Sequence, residues 1–436
     1  MSRTALKCGL VIVTDRNAIT RALLRAMEEN GGVLVFTDPT IVQRTFCQQG
    51  EPFGLCPDQL YPYGPTLGQG DELWRASAMK AMNGEPGCPV DEGISYVTGI
   101  DDQGQEVAIS FDLALDCFGQ TLVGLERVKN WPYAKIFSNR YDIPNHFHLT
   151  EEDAISVGLE GSKWESYLLL EELMLRSLDS PRMFPAGLYE HIGPDDVAQF
   201  LLDKNWGQPK WDARALSPAH LVRPGQGAHM PPGVPHAPTG QTPFFELMEK
   251  RDHFIMISGF QDKIITPEGL RWRHLLAEQQ GWDDKRKAEF VAHRIDYVAS
   301  KKCFRRNNML EPIPDTDNNG NGVRDGVSLR WGIYGMLGGQ ERYSAKLWRL
   351  EAGASVKLSG PPLVSWVLDG SISFGKKTLA NSRVFGTQDR IFDLGLKTEG
   401  AEIILQNNGP AHASGVMWFG PNSHGNKMPS YFGQKN

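Results

Sequence analysis

The sequence has little of several features that would assign a function class directly. Among its 436 residues are only six cysteines, Cys8, Cys47, Cys56, Cys88, Cys117 and Cys303. They follow no metal-ligand rhythm and no dense disulfide pattern, which argues against a disulfide scaffold or a cysteine-built zinc module and favours a reducing, cytoplasmic setting. Positive charge is not in excess: the formal net charge is -7, so neither nucleic acid nor an anionic membrane surface is an expected partner. No stretch approaches the roughly 20 apolar residues of a membrane span. The apolar run Cys8 to Val13 is broken at Asp15 and Arg16, too early for a signal-peptide core. A glycine-rich phosphate loop is also missing.

A chain of this length exceeds what one core usually serves, so more than one domain is expected. A helix is predicted from about Ala18 to Glu29, where Ile19, Leu23, Leu24 and Met27 form an apolar stripe ended by Asn30-Gly31-Gly32. Residues Pro39 to Pro89 are rich in Gly and Pro, with Tyr61-Pro62-Tyr63-Gly64-Pro65 as the clearest turn. Ser95 to Thr98, Glu106 to Phe111, Thr121 to Glu126 and Ala134 to Phe137 read as short strands. Pro194-Asp195-Asp196 opens a predicted helix over Val197 to Lys204, and Leu270 to Glu289 has a helical pattern. The run Asp315, Asp317, Asn319, Gly320 echoes a calcium loop, but Gly326 stands where the bidentate glutamate belongs, so an exposed connection is the simpler reading. Beyond it, Trp331 to Met336, Ala345 to Leu350, Leu363 to Leu368, Ser371 to Phe374 and Ala401 to Gln406 read as strands, with His412 and His424 too isolated for a second metal site.

The strongest local signal is Asn145-His146-Phe147-His148. Alternate side chains of a strand share a face, so His146 and His148 point together, and two neutral imidazoles so placed can ligate a divalent metal. Such a pair alone is also explained by hydrogen-bonded surface histidines. Farther along, Pro231-Pro232-Gly233-Val234-Pro235 forms a tight connection after which His236 can return to the same interior. A carboxylate should complete the set. Glu165 is the first candidate, because it leads into an apolar strand, and Glu152 is the rival, although Glu151, Glu152 and Asp153 could equally be a solvated turn. His229 could line the opening or lie on a surface turn, and Tyr189, Glu190 and His191 could belong to a lid.

His146-x-His148, Glu152 and Pro232-x-Val234-x-His236 resemble the two motifs of the cupin superfamily, and residues from about 130 to 260 resemble type I mannose-6-phosphate isomerase. That family has a Gln-x-His pair, a later Lys-Pro-Glu segment, and a Pro-His segment followed by a glutamate. His148 stands at the family's histidine ligand and His146 at its glutamine; Lys163 matches its active-site lysine, Trp164 replaces its proline, and Glu165 matches its metal-binding glutamate. His236 matches the second histidine ligand and Glu246 the later glutamate. Arg251 lies nearest to the catalytic arginine, in surroundings that depart from the motif.

The resemblance implies a mainly β fold of cupin double-stranded β-helix (jelly-roll) barrels with a helical insertion. Residues 1–92 would be an N-terminal α/β or barrel-covering segment, and 93–270 a metal-binding cupin domain with its insertion near 168–215. Residues 271–326 would be a helical connection and polar linker, and 327–436 a second cupin-like domain without an equivalent metal site. It implies one divalent metal on His146, His148, Glu165 and His236, zinc first, with manganese, iron or nickel as alternatives. The implied activity is aldose-ketose isomerisation of a sugar or sugar phosphate through enediol-like proton transfer, with Lys163, Glu246 and Arg251 as candidate catalytic groups. Arg140, Lys163 and Arg251 are the candidates to meet a phosphate. The same donor set also suits a cupin dioxygenase or decarboxylase, or a noncatalytic sugar-binding or structural protein. A homodimer is left open.

Overall fold

Asp15 ends the first apolar stretch and starts the first helix. Its side chain accepts the Ala18 amide at 2.8 Å, satisfying an amide that has no partner within the helix. The helix runs over Arg16–Glu29 and buries Ile19, Ala22, Leu23, Ala26 and Met27 as one stripe. This computed structural model describes residues 10–37, 40–43, 70–81, 91–122, 129–137, 143–170, 183–206, 215–239, 244–258, 271–272, 275, 277–301, 303–316, 323–359, 363–374, 377–380, 390–393, 402–424 and 427–434. The Tyr61 to Pro65 turn, Arg140 and Asp317 to Gly322 lie outside these residues.

Two sheets dominate. The first has seven antiparallel strands in the spatial order Met309–Leu310, Gly227–Met230, Glu165–Leu169, Phe244–Met248, Tyr133–Phe137, Gly70–Arg75, Thr40–Gln43. Alternation along the strands gives it two unlike faces. Leu168, Phe245, Leu247, Ala134 and Ile136 pack in one core with Trp418, Val416, Trp366, Val364 and Ile333 of the second sheet. Tyr167, Leu169 and Phe244 pack on the other side with Phe184, Phe200 and the helical residues Ala288 and Val291.

The second sheet has eight strands, including Val327–Ile333, Ser344–Leu350, Ala413–Phe419 and Leu363–Asp369 side by side. Behind it lies a four-stranded sheet containing Ser355–Ser359, Glu402–Gln406 and Ser371–Phe374, and Trp348, Val356, Ile372, Leu405 and Met417 share a core. Gly415 permits this stacking, because a Cβ there would lie 2.1 Å from the Trp366 carbonyl oxygen and 2.3 Å from the Trp348 ring.

The expected cupin jelly-roll is corrected by this topology. Among the described residues the seven-stranded sheet ends at Thr40–Gln43 on one side and Met309–Leu310 on the other, and these edges do not pair. Among the described residues the sheets are open, eight α-helices accompany them, and neither a cupin nor a bicupin barrel is formed; the fold is mixed α/β. The physical reason is that each sheet buries its faces against another layer instead of curling on itself. Part of the difference is local: Phe111–Leu122 is a helix and takes in the start of the expected Thr121 to Glu126 strand. Tyr96–Ile100 and Glu106–Ser110 form a small separate sheet with Val11–Ile12. No described helix is long and apolar enough to cross a membrane.

Candidate metal centre

The backbone brings His146 and His236 face to face. They form an antiparallel bridge in which the His146 amide donates to the His236 carbonyl at 3.0 Å and the His236 amide to the His146 carbonyl at 2.9 Å. Such directly opposed residues project side chains to one face of the ladder, and the two imidazole centroids lie 4.4 Å apart. His148 joins by strand alternation, and its carbonyl accepts the Gly233 amide at 2.6 Å. Gly233 adopts φ +81, where a Cβ would also meet Asp296 at 2.8 Å, so the turn that returns His236 needs glycine. Glu165 comes from the centre of the seven-stranded sheet, opposite Met230 on one side and Met248 on the other.

One ligand atom from each of His146, His148, Glu165 and His236 lies within 4.8 Å of every other. His148, Glu165 and His236 are buried, at 2%, 1% and 0% exposure. This set suits one divalent metal.

The hydrogen bonds say which ring nitrogen is free. Nδ1 of His146 lies 2.8 Å from the Pro144 carbonyl, Nδ1 of His148 lies 2.6 Å from that of His253, and Nδ1 of His236 lies 3.0 Å from that of Val234. A carbonyl only accepts, so each Nδ1 carries the proton and, in a neutral ring, each Nε2 presents a lone pair inward. Burial is the main influence pushing His146 well below the usual imidazole value and His148 down to about 3, with neighbouring imidazoles lowering both. His148 Nε2 sits 2.9 Å from Glu165 Oε1 without forming a hydrogen bond, and His236 Nε2 lies 3.2 Å from Glu165 Oε2. Lone pairs converging this closely on a carboxylate suit a cation between them. The donor chemistry therefore fits a metal, and the backbone carbonyls hold the rings in the ligating tautomer.

The carboxylates around this cluster are driven apart. For Glu165 burial is the largest single influence and would raise it, but His148 and then Lys163 outweigh it and hold the carboxyl well below the usual range. Lys163 Nζ lies 2.5 Å from its Oε1, and the Tyr167 hydroxyl donates to its Oε2 at 2.9 Å. Glu246 goes the other way: burial and then the charge of Glu165 push it well above its ordinary value, against the opposing pull of Lys135 and Lys163. Lys135 Nζ stands 3.9 Å from Glu246 and 3.6 Å from Glu72. These groups share a cavity of about 30 Å³, whose other wall includes Ile143, Phe254 and Met256.

Other candidates lie elsewhere. Glu152 is exposed in the first turn of the Glu151–Ser156 helix, which Thr150 caps. Arg251 donates to the carbonyls of Lys250 and Glu160 and lines a separate groove of about 1360 Å³ with Trp164, Glu249 and Arg342. His229 is fully buried on the opposite face of the sheet, with Nδ1 2.7 Å from Ser166 Oγ and Nε2 2.9 Å from the Tyr334 carbonyl. His191 is exposed and stacks on Tyr189. Asp315 lies 2.6 Å from Lys346, which engages the first residue of the calcium-like run. Sequence reasoning missed Glu72, Lys135 and Tyr167. Tyr167 carried a signal, since it lies two residues after Glu165 on the same strand face; Glu72 and Lys135 arrive through distant pairing.

No protein-family model matches the chain, and no curated protein does. Among solved structures, it is similar to mannose 6-phosphate isomerase from Bacillus subtilis, with 11% identity, a TM-score of 0.55, and coverage of 89% of this chain and 99% of that one. It is also similar to a variant of phosphomannose isomerase from Salmonella typhimurium, with 10% identity, a TM-score of 0.54 and the same coverage of each chain. The likeness is one of fold.

Proposed function

We propose that the protein is a metal-dependent aldose-ketose isomerase acting on a sugar or sugar phosphate. The observation that carries this reading is the convergence of His146, His148, Glu165 and His236, with Glu246 in the same cavity; its surroundings raise the proton affinity of Glu246 and lower that of Glu165. Carboxyls with separated proton affinities in one cavity suit distinct binding and proton-transfer roles. The fold likeness to solved mannose 6-phosphate isomerases supports the same reading.

His146, His148, Glu165 and His236 would hold the ion, zinc being the first proposal because imidazoles and one carboxylate suit a borderline cation. When bound, it would withdraw charge from the substrate's carbonyl and adjacent hydroxyl oxygens as a proton leaves carbon. Glu246, whose proton affinity is raised by burial, is the group we assign to pass a proton to a substrate oxygen and, as the carboxylate, to accept one in return. Lys163 offers a fixed ammonium to an oxygen gaining negative charge, and Lys135 steadies Glu246 between two carboxyl groups. The buried surroundings exclude bulk water from these transfers. At about 30 Å³ the cavity formed by the described residues has room for an ion.

The test is to reconstitute the protein with zinc, manganese, iron or nickel and incubate it in D₂O with aldoses, ketoses and their phosphates, following products by NMR. Interconversion with deuterium entering at the carbon next to the carbonyl supports the proposal. Oxygen consumption without interconversion would replace it with oxidative chemistry, and binding without turnover with a noncatalytic role.

A further inference from the structure

A carboxylate can swing about its last torsion over a broad range of angles, so Glu165 needs something to fix its plane toward the three imidazoles. Lys163 contacts Oε1 but sits on a flexible four-carbon stem. The contact to Oε2 is of another kind. Tyr167 stands in the middle of the seven-stranded sheet, opposite Ala228 on one side and Glu246 on the other, so its backbone is pinned from both sides. Its ring is 2% exposed and packs on Phe184 at 4.9 Å, His236 at 5.8 Å and Phe244 at 5.9 Å between centroids. The hydroxyl at the end of this rigid arm meets Glu165 Oε2 at 2.9 Å.

We propose that Tyr167 is the positioning residue of the centre: its hydroxyl orients the Glu165 carboxylate for the metal, so that removing one oxygen atom outside the ligand set weakens metal binding. The inference rests on the metal reading above. It assigns the tyrosine to the chain's own strand geometry, because a glutamate and a tyrosine two positions apart share one face of a strand and can touch there.

The Tyr167→Phe protein, which keeps the ring and its packing, is compared with the parent by zinc competition against a chelator and by the visible absorption of the cobalt-substituted form. The expected result is a loss of zinc affinity of about tenfold or more, the scale on which groups orienting metal ligands act, with a changed cobalt band and an unchanged far-ultraviolet spectrum. Phe184→Leu, which loosens the ring but keeps the hydroxyl, is the packing control. Equal affinity and an equal cobalt band in parent and Tyr167→Phe overturn the inference alone. So does an equal loss in Phe184→Leu, which assigns the effect to packing. A parent protein that binds neither zinc nor cobalt overturns the metal reading and this inference with it.

Discussion

The Glu165 face of the seven-stranded sheet and the Lys346 core of the eight-stranded sheet both bury charge, with opposite results. Lys346 meets Asp315 at 2.6 Å, with exposures of 4% and 1% for the two side chains, and its ammonium lies 4.0 Å from the Trp331 ring centroid and 5.3 Å from that of Phe419. Nearby His424 is pushed down to about 3, chiefly by burial and then by Lys346. Around Glu165, three imidazole nitrogens converge on one carboxylate. A buried cation set against a buried anion is structural, whereas a convergence of neutral imidazoles on one carboxylate suits a metal ion.

The largest break in this comparison is expected from His146→Ala combined with His236→Ala. The parent protein should retain about one equivalent of divalent metal, and the double variant should retain none by elemental analysis, while Lys346→Met leaves metal content unchanged. Next is Glu246→Gln, which keeps the shape but cannot give up a carboxyl proton; turnover should fall by about a hundredfold or more with metal content retained. Lys346→Ala should lower stability by about 3–5 kcal/mol in denaturant titration, because the buried Asp315 carboxylate loses its ammonium, and should leave zinc affinity near that of the parent.

Acid sharpens the contrast. An imidazole whose folded value lies below its unfolded value of about 6.5 binds more protons when unfolded, so stability is lost as pH falls below that point. The loss continues down to the folded values, about 4 for His229 and about 3 for His148 and His424, at roughly 1.4 kcal/mol per group per pH unit. Unfolding midpoints measured from pH 7 to 4 should fall accordingly, and zinc should raise them without removing the slope, because a ligated imidazole takes up no proton either. The smallest effect belongs to the link between the sheets: His229→Leu should cost about 1–3 kcal/mol. His229→Gln, which can still donate to the Tyr334 carbonyl, should cost less.

The candidate centre was more legible than the fold. His146 and His148 share a face by alternation, Gly233 permits the turn that returns His236, and Glu165 enters an apolar strand; each is a local cue. Barrel closure is not local, because it depends on whether distant edges such as Thr40–Gln43 and Met309–Leu310 pair, and they do not. Lys135 and Glu72 show the same limit on a smaller scale. Lys135 is a single charge in the strand Tyr133–Phe137, and its relation to Glu246 exists only through strand register. His229 was misread in position because its face of the strand is covered by a second sheet.

The bridge between His146 and His236 also has a meaning for biosynthesis. A ribosome releases His146, His148 and Glu165 well before His236, so the growing chain passes through a stage with an incomplete ligand set. Metal held at that stage would exchange readily, and durable retention begins only when the later segment arrives and pairs with the earlier one. The order of translation thus leaves the four-residue set incomplete until the His236 segment has been made.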